Sequence, residues 1–162
     1  MPLFLLQIKC EFENIKELIP SIPNDKWQLQ LIVGCQNDEE TTKEIHLDLS
    51  DEKVELEGGG YADSSFSFSK QQKATISFVK KGNGIYNEDN AGKFVTLLGL
   101  ECRGCVLKEW KYTGTEFNAI TSSGKVFEMI DLTDKDGWFE YDEDSDCSVS
   151  VQAFEYKFEL SR

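Results

Sequence analysis

The chain of 162 residues carries 30 acidic against 17 basic residues, a formal charge of −13, and 40% of it is hydrophobic. That length is one ordinary domain, able to remove roughly 70% of its unfolded surface from water without metal or disulfide staples. An acidic surface repels phosphate backbones and anionic lipid heads, so nucleic acid and membrane are not expected as partners.

Aromatic residues are plentiful, with 11 Phe, 5 Tyr and 3 Trp, whereas Ala stands only at positions 62, 74, 91, 119 and 153. That balance favours sheet. Phe4, Leu6, Ile8, Cys10 and Phe12 alternate with Leu5, Gln7, Lys9 and Glu11, which predicts a long half-buried strand. The apolar run at 3 to 6 is too short for a signal peptide or a membrane span, and the expected location is the cytoplasm. Asn14 to Ile19 offers a turn of helix at most, and residues 20 to 25, with two prolines and an Asn-Asp pair, carry turn chemistry. Trp27, Leu29, Leu31, Val33 and Cys35 resume the alternation. Beyond a polar tip at Gln36 to Thr42, Ile45, Leu47 and Leu49 alternate with Glu44, His46 and Asp48, the pattern of a hairpin. Val54 and Leu56 suggest a short strand, and Gly58-Gly59-Gly60 a bulge or sharp turn, since no Lys-Ser/Thr pair or helix follows to make it a phosphate loop.

Ser65 to Ser69, with Phe66 and Phe68 inward, and Lys73 to Val79, with Ala74, Ile76 and Phe78 inward, read as strands; residues 80 to 92 are a Gly- and Asn-rich loop. The stretch Phe94 to Tyr112 organises the rest. It is apolar on both faces up to Cys102, which predicts a central strand, and it hinges on Arg103-Gly104. Glu116 to Thr121 and Lys125 to Leu132 flank a hairpin turn at Ser122-Ser123-Gly124. In Ser148 to Leu160, Val149, Val151 and Ala153 keep odd phase but Phe154, Tyr156, Phe158 and Leu160 even phase, so a bulge is expected at Ala153-Phe154.

Five cysteines (10, 35, 102, 105 and 147) leave at least one unpaired, and they are read as reduced thiols, with Cys10 and Cys35 as small buried hydrophobes. His46, the sole histidine, points to solvent, and no nucleophile elbow accompanies it. Cys102-Arg103-Gly104-Cys105 has the spacing of a redox dithiol or half a zinc site. Its neighbours are strand-like and no second pair exists, so a tight turn is the expectation. Residues 132 to 143 mimic a calcium loop through Asp134, Asp136, Gly137 and Glu143, but Leu132 stands at the first ligand position and helices are missing. Asp142 to Asp146 reads as a solvated acidic loop.

Met1-Pro2-Leu3-Phe4, Trp27, Gly58-Gly59, Tyr86-Asn87, Glu88-Asp89-Asn90, Glu101-Cys102-Arg103-Gly104, Ser123-Gly124 and Trp138 with Tyr141-Asp142-Glu143 are together similar, in order and spacing, to the eukaryotic CXXC-motif-containing zinc-binding proteins. The resemblance spans essentially the whole chain and implies a small intracellular β-rich protein of a family without an established biochemical role. It also implies zinc held by two C-x-x-C pairs. These fall on Val33-Gly34-Cys35-Gln36 and Ser67-Phe68-Ser69-Lys70, where no ligand position holds a cysteine and Cys35 sits one residue off.

The expectation is therefore one β domain over residues 1–162, of ten or more short strands in two packed, largely antiparallel sheets with little or no helix. It is expected to be a non-catalytic binding or scaffold module with no zinc, no other cofactor and no catalytic residues. Its expected partner is protein, including a second copy of the chain across the uncharged edge Ser64 to Ser69. The competing readings are an enzyme using surface carboxylates, marked by carboxylates converging on Arg103, and a thiol redox protein, marked by a depressed thiol pKa at Cys102.

Overall fold

A computed structural model describes residues 2–21, 28–48, 54–56, 61–82 and 84–161. Trp27, Leu49, Gly58-Gly59-Gly60 and most of the Pro-rich turn at 20 to 25 lie outside them. Among the described residues fifteen strands follow one another: β1 Leu3–Glu13, β2 Ile15–Pro20, β3 Gln28–Cys35, β4 Asp38–Asp48, β5 Val54–Glu55, β6 Tyr61–Ala62, β7 Ser64–Ser67 and β8 Lys73–Val79, then β9 Tyr86–Asn87, β10 Val95–Arg103, β11 Cys105–Trp110, β12 Phe117–Thr121, β13 Val126–Phe127, β14 Trp138–Asp142 and β15 Cys147–Ser161. One 3₁₀ turn, Glu88–Asn90, interrupts them. No helix among the described residues is long and apolar enough to cross a membrane.

The mainly β, antiparallel class matches the sequence reading, with a finer division of the strands among four sheets. The largest has the order β14-β15-β1-β10-β8-β7; β11-β3-β4 and β13-β12-β2-β9 form two smaller sheets, and β5-β6 a two-stranded ribbon. β10 lies between β1 and β8 in the sheet and is covered on its faces as well, with Leu97, Leu98, Leu100 and Cys102 all buried. Two corners carry the chain between sheets. At Asn14, with φ 54°, β1 leaves the six-stranded sheet and continues as β2; Asn tolerates that left-handed conformation better than most residues. At Gly104, with φ 75°, β10 becomes β11 of the three-stranded sheet. The hinge in the organising stretch is thus a change of sheet.

The expected turn of helix at Asn14 to Ile19 is a strand instead. Ile15 and Leu18 are buried three residues apart, a helical spacing, because β2 carries an extra residue: Glu17 pairs with Ile120 but Ile15 with the next residue, Thr121. A bulge therefore imitates helical period. The bulge expected in the last strand is present, since Lys9 pairs with Glu155 and Glu11 with Gln152, leaving Ala153-Phe154 opposite Cys10, with Ala153 at φ 55°.

Two readings are corrected, and one strand carries no sequence expectation. The 80 to 92 loop contains β9 and the 3₁₀ turn, pinned by the buried Tyr86 hydroxyl, which binds the Asn90 and Lys93 carbonyls at 2.7 Å each. The strand expected over Lys125 to Leu132 shrinks to β13, after which Met129 (φ 49°) turns the chain and Ile130 and Leu132 are buried from irregular backbone. Residues 138 to 142 form β14, an edge strand that turns Phe139 and Tyr141 outward.

Three sheets meet at an aromatic seam. Trp110 of β11 packs edge-on against Tyr112 at 5.0 Å and Tyr156 of β15 at 5.2 Å, and Phe117 of β12 contacts Phe154 at 6.0 Å. The Tyr156 hydroxyl accepts from the Trp110 amide and donates to its carbonyl, tying β11 to β15.

Candidate functional site

The change of sheet at Arg103-Gly104 creates a recess beside residues singled out by sequence. Antiparallel register places Arg103 opposite Thr75, and Thr75 opposite Ser65; one step along, Lys73 lies opposite Ser67. Directly paired residues share a sheet face, so β10, β8 and β7 present Arg103, Lys73 and three hydroxyls together. Glu55, Leu56, Phe66 and Gly104 complete a cleft of about 550 Å³. The corner needs glycine twice over: its φ is left-handed, and a Cβ there would stand 2.4 Å from the Lys73 carbonyl oxygen. This close approach is what brings Arg103 beside Lys73. Glu55 is the sole carboxylate among the lining residues, so the convergence of carboxylates on Arg103 that would mark an enzyme is not found in this cleft.

The thiols beside the corner are interior. Cys102 and Cys105 are 0% and 1% exposed, and Cys105 lies opposite Cys35 across β11 and β3. The hydrogen bond to Cys105, then burial, pushes the Cys102 thiol up; the same bond lowers Cys105. An elevated Cys102 is the reverse of what a redox dithiol led by that residue requires, and in place of the expected tight turn the backbone bends once at Gly104 and passes into another sheet. Burial, with Glu11 adding repulsion, also pushes the Cys10 thiol up, as befits a core residue. His46 is exposed on β4, opposite Gln30, and touches none of these groups.

Next to the corner, the tips of the β3–β4 and β7–β8 hairpins come together. These are the two segments to which the resemblance assigns C-x-x-C pairs. Gln72 Oε1 accepts from Asn37 Nδ2 at 3.2 Å and from Cys35 Sγ at 3.6 Å. Lys43 Nζ donates to the Ser67 carbonyl at 3.2 Å, and the Gln36 amide to the Gly104 carbonyl at 3.2 Å. Gln72 is itself fixed in the β7–β8 turn, its carbonyl accepting from the Phe68 amide at 2.7 Å. At the four ligand positions stand Val33, fully buried, and Gln36, Ser67 and Lys70, all exposed. Such a set does not fit a tetrahedral thiolate site: Val33 has no donor atom and Lys70 opposes a cation. Among the described residues, no three His, Cys, Asp or Glu side chains converge as a cation site. Sequence reading placed the tips correctly but missed Gln72 and Lys43, which carry no motif.

Other residues of the resemblance have structural partners. Ser123 donates to Asp142 Oδ2 at 2.5 Å, joining the β12–β13 turn to the end of β14, and Ser145 and the Asp144 amide bind the same carboxylate. These bonds, Ser123 first, hold the Asp142 carboxyl down at about 2. Asp142, read as part of a solvated loop, is thus buried at 1% exposure. Asn87 and Asn90 form a capping box around the 3₁₀ turn. Within 132 to 143, Asp134 and Gly137 close a turn ahead of β14 and the Asp134 carboxylate accepts from the Asp136 amide, so one of the imitation calcium ligands is used by the turn's own backbone.

The model of the family described as "CXXC motif containing zinc binding protein, eukaryotic" matches residues 5–159. The protein named UPF0587 protein CG4646 of Drosophila melanogaster is 31% identical, covering 94% of each chain. A Bos taurus protein named CXXC motif containing zinc binding protein is 29% identical over 94% of this chain and 95% of its own. Of solved structures, that of the protein C1orf123 superposes with TM-score 0.81 at 28% identity, over 98% of this chain and 99% of the other. A hypothetical protein from Plasmodium falciparum reaches TM-score 0.84 at 23% identity, covering 98% and 100%, a likeness of fold.

Proposed function

Because the chain belongs to the family of eukaryotic CXXC motif containing zinc binding proteins, we propose that it is a member that joins its two hairpin tips without zinc and acts as a binding or scaffold module rather than an enzyme. The observation that carries this reading is the bond pattern at Gln72. Where relatives carry names that announce zinc, this chain sets Cys35, Asn37 and Gln72 in mutual hydrogen bonds, with Val33 packed into the core. Four thiolates around zinc stabilise small peptides by roughly 10 to 16 kcal/mol, and side-chain hydrogen bonds by about 0.5 to 1.5 kcal/mol each. The tips here are therefore held far more weakly, in a domain whose core lies elsewhere.

The absence of catalysis is supported by the cleft's single carboxylate, the exposed His46 and the elevated Cys102. A cytoplasmic location is supported by cysteines that are all free. The partner surface we assign is β7, which ends the six-stranded sheet and carries no charge from Ser64 to Ser69; across it a second copy of the chain would pair. Elemental analysis of protein purified without chelator tests the central part: zinc well below one atom per chain is expected, and one atom per chain would refute it. Light scattering tests the surface, with a species of twice the 18.5 kDa chain mass expected.

A further inference from the structure

β14 ends the six-stranded sheet at the side away from β7; one of its edges pairs with β15, and the other meets no backbone hydrogen bond among the described residues. Alternate residues of such a strand turn both N–H and C=O to the open side, and an edge of this kind is ordinarily guarded by charged side chains. Here Phe139 and Tyr141 are turned outward instead, 58% and 48% exposed. Directly opposed residues share a face, so Phe139 stands beside Ser150 and Tyr141 beside Ser148, and the first row runs on to Glu13 of β1. Glu140, also exposed, lies on the other face. The flanks are acidic: residues 131 to 146 hold eight acids and one base, Lys135, which is more than half of the chain's formal charge of −13.

We propose that β14 takes up an extended basic segment of a partner protein as a further strand of the sheet, over the five residues Trp138–Asp142. The open backbone groups supply the hydrogen bonds. Apolar side chains at alternate positions of the segment lie beside Phe139 and Tyr141, and the Lys or Arg residues between them face Glu140. Basic residues at the two ends of the segment meet the acidic loops that flank the strand. Charge decides the occupant. A second copy of this chain would set two such acidic segments side by side, and like charges opposed across paired strands destabilise; nucleic acid is repelled in the same way. The uncharged β7 has no such bar to self-pairing, so the two ends of one sheet differ in what they accept. This inference rests on the reading of the chain as a protein-binding module, but on no statement about zinc or about pairing at β7.

Titration of the isotopically labelled full chain with three synthetic peptides, followed by NMR, tests it: a capped seven-residue peptide of alternating lysine and valine, its glutamate-valine counterpart, and the lysine-valine peptide N-methylated at every residue. The first should shift amides at 138–142 and 147–151 and slow hydrogen exchange in β14, with a dissociation constant in roughly the millimolar range or below, weakening as salt rises. The glutamate peptide should not bind. N-methylation should cost roughly tenfold or more, since the peptide then donates no backbone hydrogen bond. Phe139→Ser and Glu140→Lys should each weaken binding roughly two- to fivefold, with an unchanged melting point because both side chains are exposed. No binding at roughly ten millimolar lysine-valine peptide, equal binding of the glutamate peptide, indifference to N-methylation, or shifts confined to β7 would overturn the assignment. Each of these would leave the zinc content and the pairing at β7 standing, since those are measured on the chain without peptide.

Discussion

The aromatic seam and the hairpin-tip clasp both join sheets, and they do so by opposite means. At the seam, Trp110, Tyr112, Phe117, Phe154 and Tyr156 bring β11, β12 and β15 together through ring contacts inside the core. At the clasp, one glutamine accepts from two side chains near the surface, and a lysine reaches a carbonyl. On the proposed zinc-free reading, the contrast says where a metal can be done without. A tip that contributes little to the core can exchange a strong inorganic link for a few weak polar ones, provided the sheets are already joined elsewhere.

The largest effect expected is at the seam. Trp110→Ala should cost about 3 to 5 kcal/mol, measurable by urea unfolding, because the indole is 1% exposed and its Nε1 finds no acceptor among the described residues, so its contribution is packing. A loss below about 1 kcal/mol would break the comparison. An intermediate effect is expected at Asp142, a second polar junction, where the folded state holds the carboxyl below its ordinary value. That contribution is complete above about pH 4 and is lost as pH falls towards 2 through the folded value. Melting points followed from pH 5 to 2 should show this decline, and Asp142→Asn should flatten it. The smallest effect belongs to the clasp: Gln72→Ala should cost about 0.5 to 1.5 kcal/mol. A loss as large as that at Trp110 would make the tips a principal joint.

Strand phases were legible wherever one face is buried against the core, as in β1, β8 and β15, and even the bulge at Ala153-Phe154 could be read from the switch of phase. They were illegible where the covering breaks the rule. In β2 the bulge spaces Ile15 and Leu18 like a helix; in β14 the aromatics Phe139 and Tyr141 face outward while Asp142 is buried, which inverts the usual signal. The candidate site was legible only in its parts. Arg103-Gly104 was recognisable as a hinge, but its alignment with Thr75 and Ser65 depends on the register of β10, β8 and β7. Gln72 carries no signal of its own, because its partners Cys35 and Asn37 lie 37 and 35 residues away and meet it only once both hairpins have formed.

On the proposed reading the tips are joined by side chains where relatives are named for a metal. Thermal melting of the purified chain with and without an excess of EDTA tests it most directly. The same melting point in both conditions is predicted, with Gln72→Ala lowering it slightly and equally in each. A melting point that falls on chelation would refute the zinc-free reading, because it would mean that a metal, and not Gln72, holds the two hairpins together.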